Sequence, residues 1–211
     1  MIAEIIEKYC FENSSNSQQA ELLDEIERFT YLKVQMPQML SGKYQGQFLS
    51  FISKLIKPNR VLEIGTYTGY SGICLASGLN DNGEMITIDI NEELYDDVKR
   101  FFDKSEFGRK INYKIGNALD IIPTLEGTFD IIFLDADKKN YLNYLPLVIS
   151  KMHKGSLLIT DNVLWKGKVV QEAKDSDTLA IDLFNKQLNS HPDLDVIIVP
   201  IRDGVSLSRK K

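Results

Sequence analysis

Cysteine, histidine and tryptophan are scarce: two, two and one among 211 residues. Cys10 and Cys74 lie far apart and form no C-x-x-C pattern, which argues against a disulfide framework and a structural zinc site. His153 and His191 are isolated, and the pattern predicts a surface position for each. No uninterrupted apolar run is long enough to span a bilayer. The opening MIAEIIEKYC mixes charges into its apolar residues and does not read as a signal peptide. These absences predict a reduced, cytoplasmic protein with no membrane partner. A net charge of -5 disfavours broad contact with nucleic acid and leaves room only for a local basic patch. Repeats and low-complexity linkers are absent too. The length suits one domain, 1–211, with a helical region over 1–57 and an alternating core over 58–211.

The alternation carries the fold. Ile2–Phe11, Gln18–Thr30 and Gln45–Ile56 read as helices, the third with Phe48, Leu49, Ile52, Leu55 and Ile56 on one face. Short β-branched runs follow at Arg60–Ile64, Glu84–Asp89, Ile111–Ile115, Asp130–Leu134 and Ser156–Thr160. Helical segments near Tyr70–Leu79, Asn91–Lys104, Ala118–Leu125 and Lys138–Met152 separate them. Strand–helix alternation predicts a doubly wound, Rossmann-like parallel sheet with helices on both faces. Near the C-terminus, Asp195–Pro200 and Gly204–Arg209 are joined by the short turn Ile201–Asp203, so they must pair antiparallel. The expected sheet is mixed, with one reversed strand near its edge.

The most informative stretch is VLEIGTYTGYSG, Val61 to Gly72. An apolar strand carrying Glu63 runs into a turn shaped by Gly65 and Gly69, and a helix starts near Tyr70. Glycines there let backbone N–H groups approach a ligand. The spacing G-x-x-x-G-x-x-G is neither the dinucleotide fingerprint nor a phosphate loop. An acid beside the turn repels a pyrophosphate and suits a cationic ligand. S-adenosylmethionine, with its sulfonium and amino group, is a ligand of that kind.

In open α/β sheets, ligands bind at the carboxyl ends of the strands. Asp89 ends the second strand, about 20 residues past the turn, where an acid bonds a ribose diol. The alternative is a cap for the following helix. The fourth strand ends in DADKKNY, with Asp135, Asp137 and Lys138, and the fifth in DNVLW, with Asp161 and Asn162. Capping and a polar turn are the plain explanations for these acids. Two such clusters after adjacent strands favour a metal site, and its oxygen ligands suit Mg²⁺, Mn²⁺ or Ca²⁺ rather than zinc. Lys138 opposes the dipole of the helix it begins, and is either solvated or a cation or base beside a substrate oxygen. Trp165 walls an aromatic pocket, or packs in the core or a dimer contact.

With the glycine turn, DADKKNY and DNVLWKG together, the chain resembles the cation-dependent O-methyltransferases, among them caffeoyl-CoA and catechol O-methyltransferases and their bacterial relatives. The resemblance runs from GQFLS (Gly46 to Ser50) to DGVSLSRK (Asp203 to Lys210). It implies a seven-stranded sheet with the last strand antiparallel. It implies that Met39, Ser41, Glu63, Gly65, Ser71, Asp89, Ala118 and Asp135 line S-adenosylmethionine, with Glu63 near its amino-acid end. Asp135, Asp161 and Asn162 match the metal ligands, Mg²⁺ foremost, and Lys138 matches the lysine proposed as the family's catalytic base. Gln45 stands where the family usually has an acid, and Arg202 where many relatives have glycine. The implied activity is methylation of a catechol-type small molecule by a homodimer. Two alternatives stand beside it: methylation of 5-hydroxyuridine in tRNA, and a non-catalytic S-adenosylmethionine-binding module.

Overall fold

The computed structural model describes residues 4–15, 17 and 19–211. Ile2 and Gln18, the expected starts of the first two helices, lie outside the described residues. Helix α1 spans Glu4–Glu12, α2 Ala20–Lys33 and α3 Gly42–Ile56. Then come β1 (Arg60–Ile64), α4 (Tyr70–Ala76), β2 (Glu84–Asp89), α5 (Tyr95–Lys104) and β3 (Ile111–Ile115). The chain continues through α6 (Ala118–Thr124), β4 (Phe129–Leu134), α7 (Tyr141–Ser150) and β5 (Met152–Thr160). It closes with α8 (Ser176–Ser190), β6 (Leu194–Val199) and β7 (Val205–Lys210).

The seven strands form one sheet in the order β3-β2-β1-β4-β5-β7-β6. Strands β1 to β5 run parallel, and β7 lies antiparallel to both β5 and β6. The predicted doubly wound topology with a reversed last strand is therefore the observed one. Side chains alternate across the sheet. Leu62 and Ile64 face a core shared with Ile122, Tyr141, Val148 and Phe184 of the helices α6, α7 and α8. Val61 faces the other core, built with Ile26, Leu49, Ile73 and Phe101 of α2, α3, α4 and α5. The N-terminal helices are thus part of one face of the fold. Helix α3 seats closely on α4: a Cβ on Gly46 would stand 2.6 Å from the Tyr70 ring.

Two departures from the sequence reading have local causes. Helix α8 has no counterpart in it. Its signals are an N-cap, Asp175, whose carboxylate accepts from the Thr178 N–H at 2.8 Å, and buried Thr178, Ile181, Phe184 and Leu188 at helical spacing. Strand β5 begins at Met152, not Ser156. The solvent-facing His153, Lys154 and Gly155 read as a turn, but Met152 pairs with Phe129 before an irregularity in the register, and Ser156 Oγ donates to the Phe129 carbonyl at 2.6 Å.

Candidate active site

The carboxyl ends of the parallel strands are aligned by bonds that reach one residue past the ladder. The N–H of Gly65 donates to Ile88 O at 2.9 Å, Asp135 to Ile64 O at 2.9 Å, Asp161 to Leu134 O at 3.0 Å and Gly116 to Asp89 O at 2.8 Å. Gly65 has φ 103°, and a Cβ there would stand 2.0 Å from the Asp135 carbonyl oxygen, so only glycine fits where the two chain segments touch. Gly69, with φ 85°, then turns the chain into α4.

The turn is held from both sides. Asp89 accepts from the Tyr67 N–H at 2.7 Å and from the Asn91 N–H at 2.8 Å. The helical turn after β2 is capped by Asn91, whose side chain accepts from Glu93 N–H, so capping is not the role of Asp89. Glu63 accepts hydrogen bonds from Ser71 Oγ at 2.6 Å and from Thr87 Oγ1 at 2.5 Å. It is fully buried. Burial pushes its carboxyl up to about 8, against the lowering by Ser71 and Thr87.

In front of this turn opens a cavity of about 1360 Å³. Met39, Ser41, Gly65, Ser71, Asp89, Ala118, Asp135, Lys138, Asp161 and Asn162 all line it, as do Trp165 and Arg202. Glu63 does not. It lies under the turn on the Val61 face of β1, packed toward Gly72 and α4. The strand runs one residue further, to Ile64, and the alternation turns Glu63 into the helix layer instead of out of the strand end.

The wall at the ends of β4 and β5 carries the charge. Lys138 Nζ donates to Asp135 Oδ1 at 2.7 Å and to Tyr141 Oη at 2.9 Å. Tyr141 in turn donates to the Asp161 carbonyl at 3.1 Å. Burial lowers the lysine pKa, but the charges of Asp135, Tyr141 and Asp161 outweigh it and hold Lys138 as an ammonium above its ordinary range. Asp161 is buried, and burial together with the Asp135 charge raises its carboxyl to about 6, with Lys138 opposing. Asp137, the other acid of the motif, binds Tyr144 Oη at 3.0 Å and the Asn140 amide at 2.5 Å. Among the described residues, no three His, Cys, Asp or Glu side chains converge as a metal cluster. The candidate cation set is two carboxylates, Asp135 and Asp161, with the Asn162 amide. These all-oxygen donors fit a hard divalent cation, which would offset the cost of burying Asp161 beside the Asp135 charge.

Backbone strain gathers here. Met36, Tyr67, Asn162, Trp165, Lys166 and Arg202 have φ between 47° and 58° and all line the cavity. Each such residue costs on the order of 1 kcal/mol or more and persists only where its surroundings hold it. The sequence reading did not assign Tyr141, which secures Lys138; its signal is the three-residue spacing inside DADKKNY. It singled out Gln45 and Arg202 separately, and the structure brings them together: Arg202 Nη1 donates to Gln45 Oε1 at 2.9 Å.

The sheet order, the glycine turn at the first crossover and the charged wall beside it define a class I S-adenosylmethionine-dependent methyltransferase. More narrowly, the chain belongs to the O-methyltransferase family, which it matches over residues 12–211. It is 34% identical to a caffeoyl-CoA O-methyltransferase of Petroselinum crispum over 96% of this chain and 89% of that protein. The SAH-bound methyltransferase PaMTH1 of Podospora anserina superposes with a TM-score of 0.90 at 28% identity, covering 99% of this chain and 95% of that one. TomG, an O-methyltransferase of Streptomyces achromogenes solved with SAM, shares the fold with a TM-score of 0.89 at 23% identity, over 100% of both chains. The protein is an S-adenosylmethionine-dependent O-methyltransferase. No described helix is long and apolar enough to cross a membrane.

Proposed function

We propose that this enzyme transfers the methyl group of S-adenosylmethionine to a hydroxyl of a catechol-type small molecule and needs a divalent cation, Mg²⁺ foremost, to do so. The observation that carries this reading is the convergence of Asp135, Asp161, Asn162 and Lys138 on one wall of the cavity that also contains the glycine turn. The cavity volume, about 1360 Å³, exceeds the roughly 300–1,000 Å³ usual for one small ligand and accommodates a donor and a compact acceptor together. The caffeoyl-CoA O-methyltransferase relatives support an aromatic acceptor with vicinal oxygens.

Asp89 holds the donor ribose, the backbone at Ala118 meets the adenine, and Met39, Ser41, Gly65 and Ser71 enclose the methionine part. Asp135, Asp161 and Asn162 hold the cation. When bound, a divalent cation lowers the pKa of a phenol from its ordinary ~10 by stabilising the anion. Lys138, held beside Asp135, adds electrostatic stabilisation to the phenolate as it forms, and the phenolic proton is released to water as the acceptor binds. Trp165 closes the acceptor side against water. The phenolate oxygen then attacks the methyl carbon, the methyl–sulfur bond breaks, and S-adenosylhomocysteine leaves.

A labelled-donor screen tests the reading. Catechols, matched monophenols and undermodified tRNA are offered with and without Mg²⁺. The expected result is transfer to catechols that depends on Mg²⁺. Transfer to tRNA alone would replace the acceptor class, and tight donor binding without transfer to any acceptor would leave only a binding module.

A further inference from the structure

Arg202 sits in the turn between β6 and β7 and lines the cavity with Trp165 and Lys166. That turn is stitched to the segment following Asp161 and Asn162. Val163 N–H donates to Gly204 O at 3.1 Å, Leu164 N–H to Asp203 O at 2.9 Å, and Lys166 N–H to the Asp203 carboxylate. Arg202 is therefore a fixture of the Asp161 wall, away from Asp89 and Ala118 at the far end of the sheet order.

Its guanidinium is fastened by one nitrogen. Nη1 donates to the Ser41 carbonyl and to Gln45 Oε1, and both acceptors are neutral. Gln45 is fully buried, with its amide beside the Asp161 carboxylate. Among the described residues no carboxylate stands within 4.0 Å of Arg202 to form an ion pair. Among the described residues, only neutral groups hydrogen-bond this half-buried guanidinium in the cavity wall. Among the described residues, Nε and Nη2, the edge that matches a carboxylate with two parallel bonds, have no hydrogen-bond partner. The charges of Asp161 and Asp203 act on it only from beyond ion-pair reach, so a partly desolvated guanidinium gains from a carboxylate that a ligand brings into direct contact. The position is also one that glycine would occupy without strain, with φ 47°.

We propose that Arg202 is a specificity residue, and that the free edge of its guanidinium pairs with a carboxylate carried by the methyl acceptor. The proposal rests on the reading that the acceptor hydroxyl binds at the Asp161 wall, and it narrows the acceptor to an anionic aromatic hydroxyl compound.

The test compares two probes that differ by one negative charge, 3,4-dihydroxybenzoate and its methyl ester. Their binding is measured by calorimetry with S-adenosylhomocysteine and Mg²⁺ present, in wild type, Arg202→Gly and Arg202→Lys. Glycine suits the backbone at this position, so the variant should fold, and an unchanged melting temperature checks that it does. The expected result for Arg202→Gly is a loss of at least about tenfold in affinity for the benzoate and under about twofold for the ester. Lysine keeps the charge without the fork and should fall between. Equal effects on both probes, no effect on either, or no binding of the benzoate to wild type would overturn the proposal. So would a loss confined to S-adenosylhomocysteine affinity, which would move the guanidinium to the donor carboxylate. Because the readout is binding, failure of the methyl-transfer reading shows separately, as charge-selective binding without turnover of either probe.

Discussion

Replacing Glu63 by glutamine should remove a pH-dependent weakness from the core. Glu63 is fully buried, with its two oxygens occupied by the hydroxyls of Ser71 and Thr87. Its carboxyl moves from an ordinary 4.5 in the unfolded chain to about 8 in the fold, chiefly through burial. Between those values the folded protein holds a proton that the unfolded chain releases. Stability must therefore fall as pH rises through this window, and the loss is complete above about pH 8. At about 1.4 kcal/mol per pH unit the full effect approaches ~5 kcal/mol, a ceiling that relaxation around the charged group reduces. Glutamine has the same shape and no titration. Its carbonyl can accept from one hydroxyl, and its amide can donate to Thr87 Oγ1, which is also 2.5 Å from Thr66 Oγ1 and can donate there instead. Urea unfolding of wild type and Glu63→Gln from pH 5 to pH 9 reads the difference. The variant should gain on wild type steadily toward high pH, by several kcal/mol at pH 9, with similar m-values. Parallel stability profiles would refute the assignment of a proton to this buried site. Donor affinity in the same variant should change little, because Glu63 lies beneath the turn and not on the cavity wall.

The remaining predictions concern the wall and the turn. Lys138→Met removes the ammonium while keeping much of the stem; single-turnover rates should fall about 10²-fold with donor affinity nearly unchanged, the range for loss of one transition-state electrostatic contact. Asp161→Asn should weaken Mn²⁺ binding, measured by titration, more than Asn162→Ala does, because it removes a charged ligand instead of a neutral one. Gly65→Ala places a Cβ 2.0 Å from the Asp135 carbonyl at φ 103°, and should lower stability by about 3 kcal/mol or more in thermal unfolding, with donor binding lost in whatever remains folded.

Much of this architecture was legible because the core strands are short apolar runs that end in glycine or aspartate. Val61–Gly65, Ile131–Asp135 and Leu157–Asp161 repeat that punctuation, and the acids after β4 and β5 do lie on one cavity wall. What the sequence hid was direction and distance. Glu63 read as an acid facing the donor, whereas within the expected strand, Arg60–Ile64, it shares the face of Val61 and points inward under the turn. Helix α8 carries Ala180, Asp182 and Asn185 between its buried positions and so reads as polar linker unless the Asp175 cap is noticed. The contact between Arg202 and Gln45 joins positions 157 residues apart, which no local pattern encodes.

The central claim is that Asp135, Asp161 and Asn162 hold a cation without which an aromatic hydroxyl is not methylated. Transfer of labelled methyl to a catechol, followed in excess chelator and again after Mg²⁺ is restored, tests it most directly. Turnover should vanish with chelation, return with Mg²⁺ in wild type, and return at most weakly in Asp161→Asn. Full turnover in excess chelator would contradict the account.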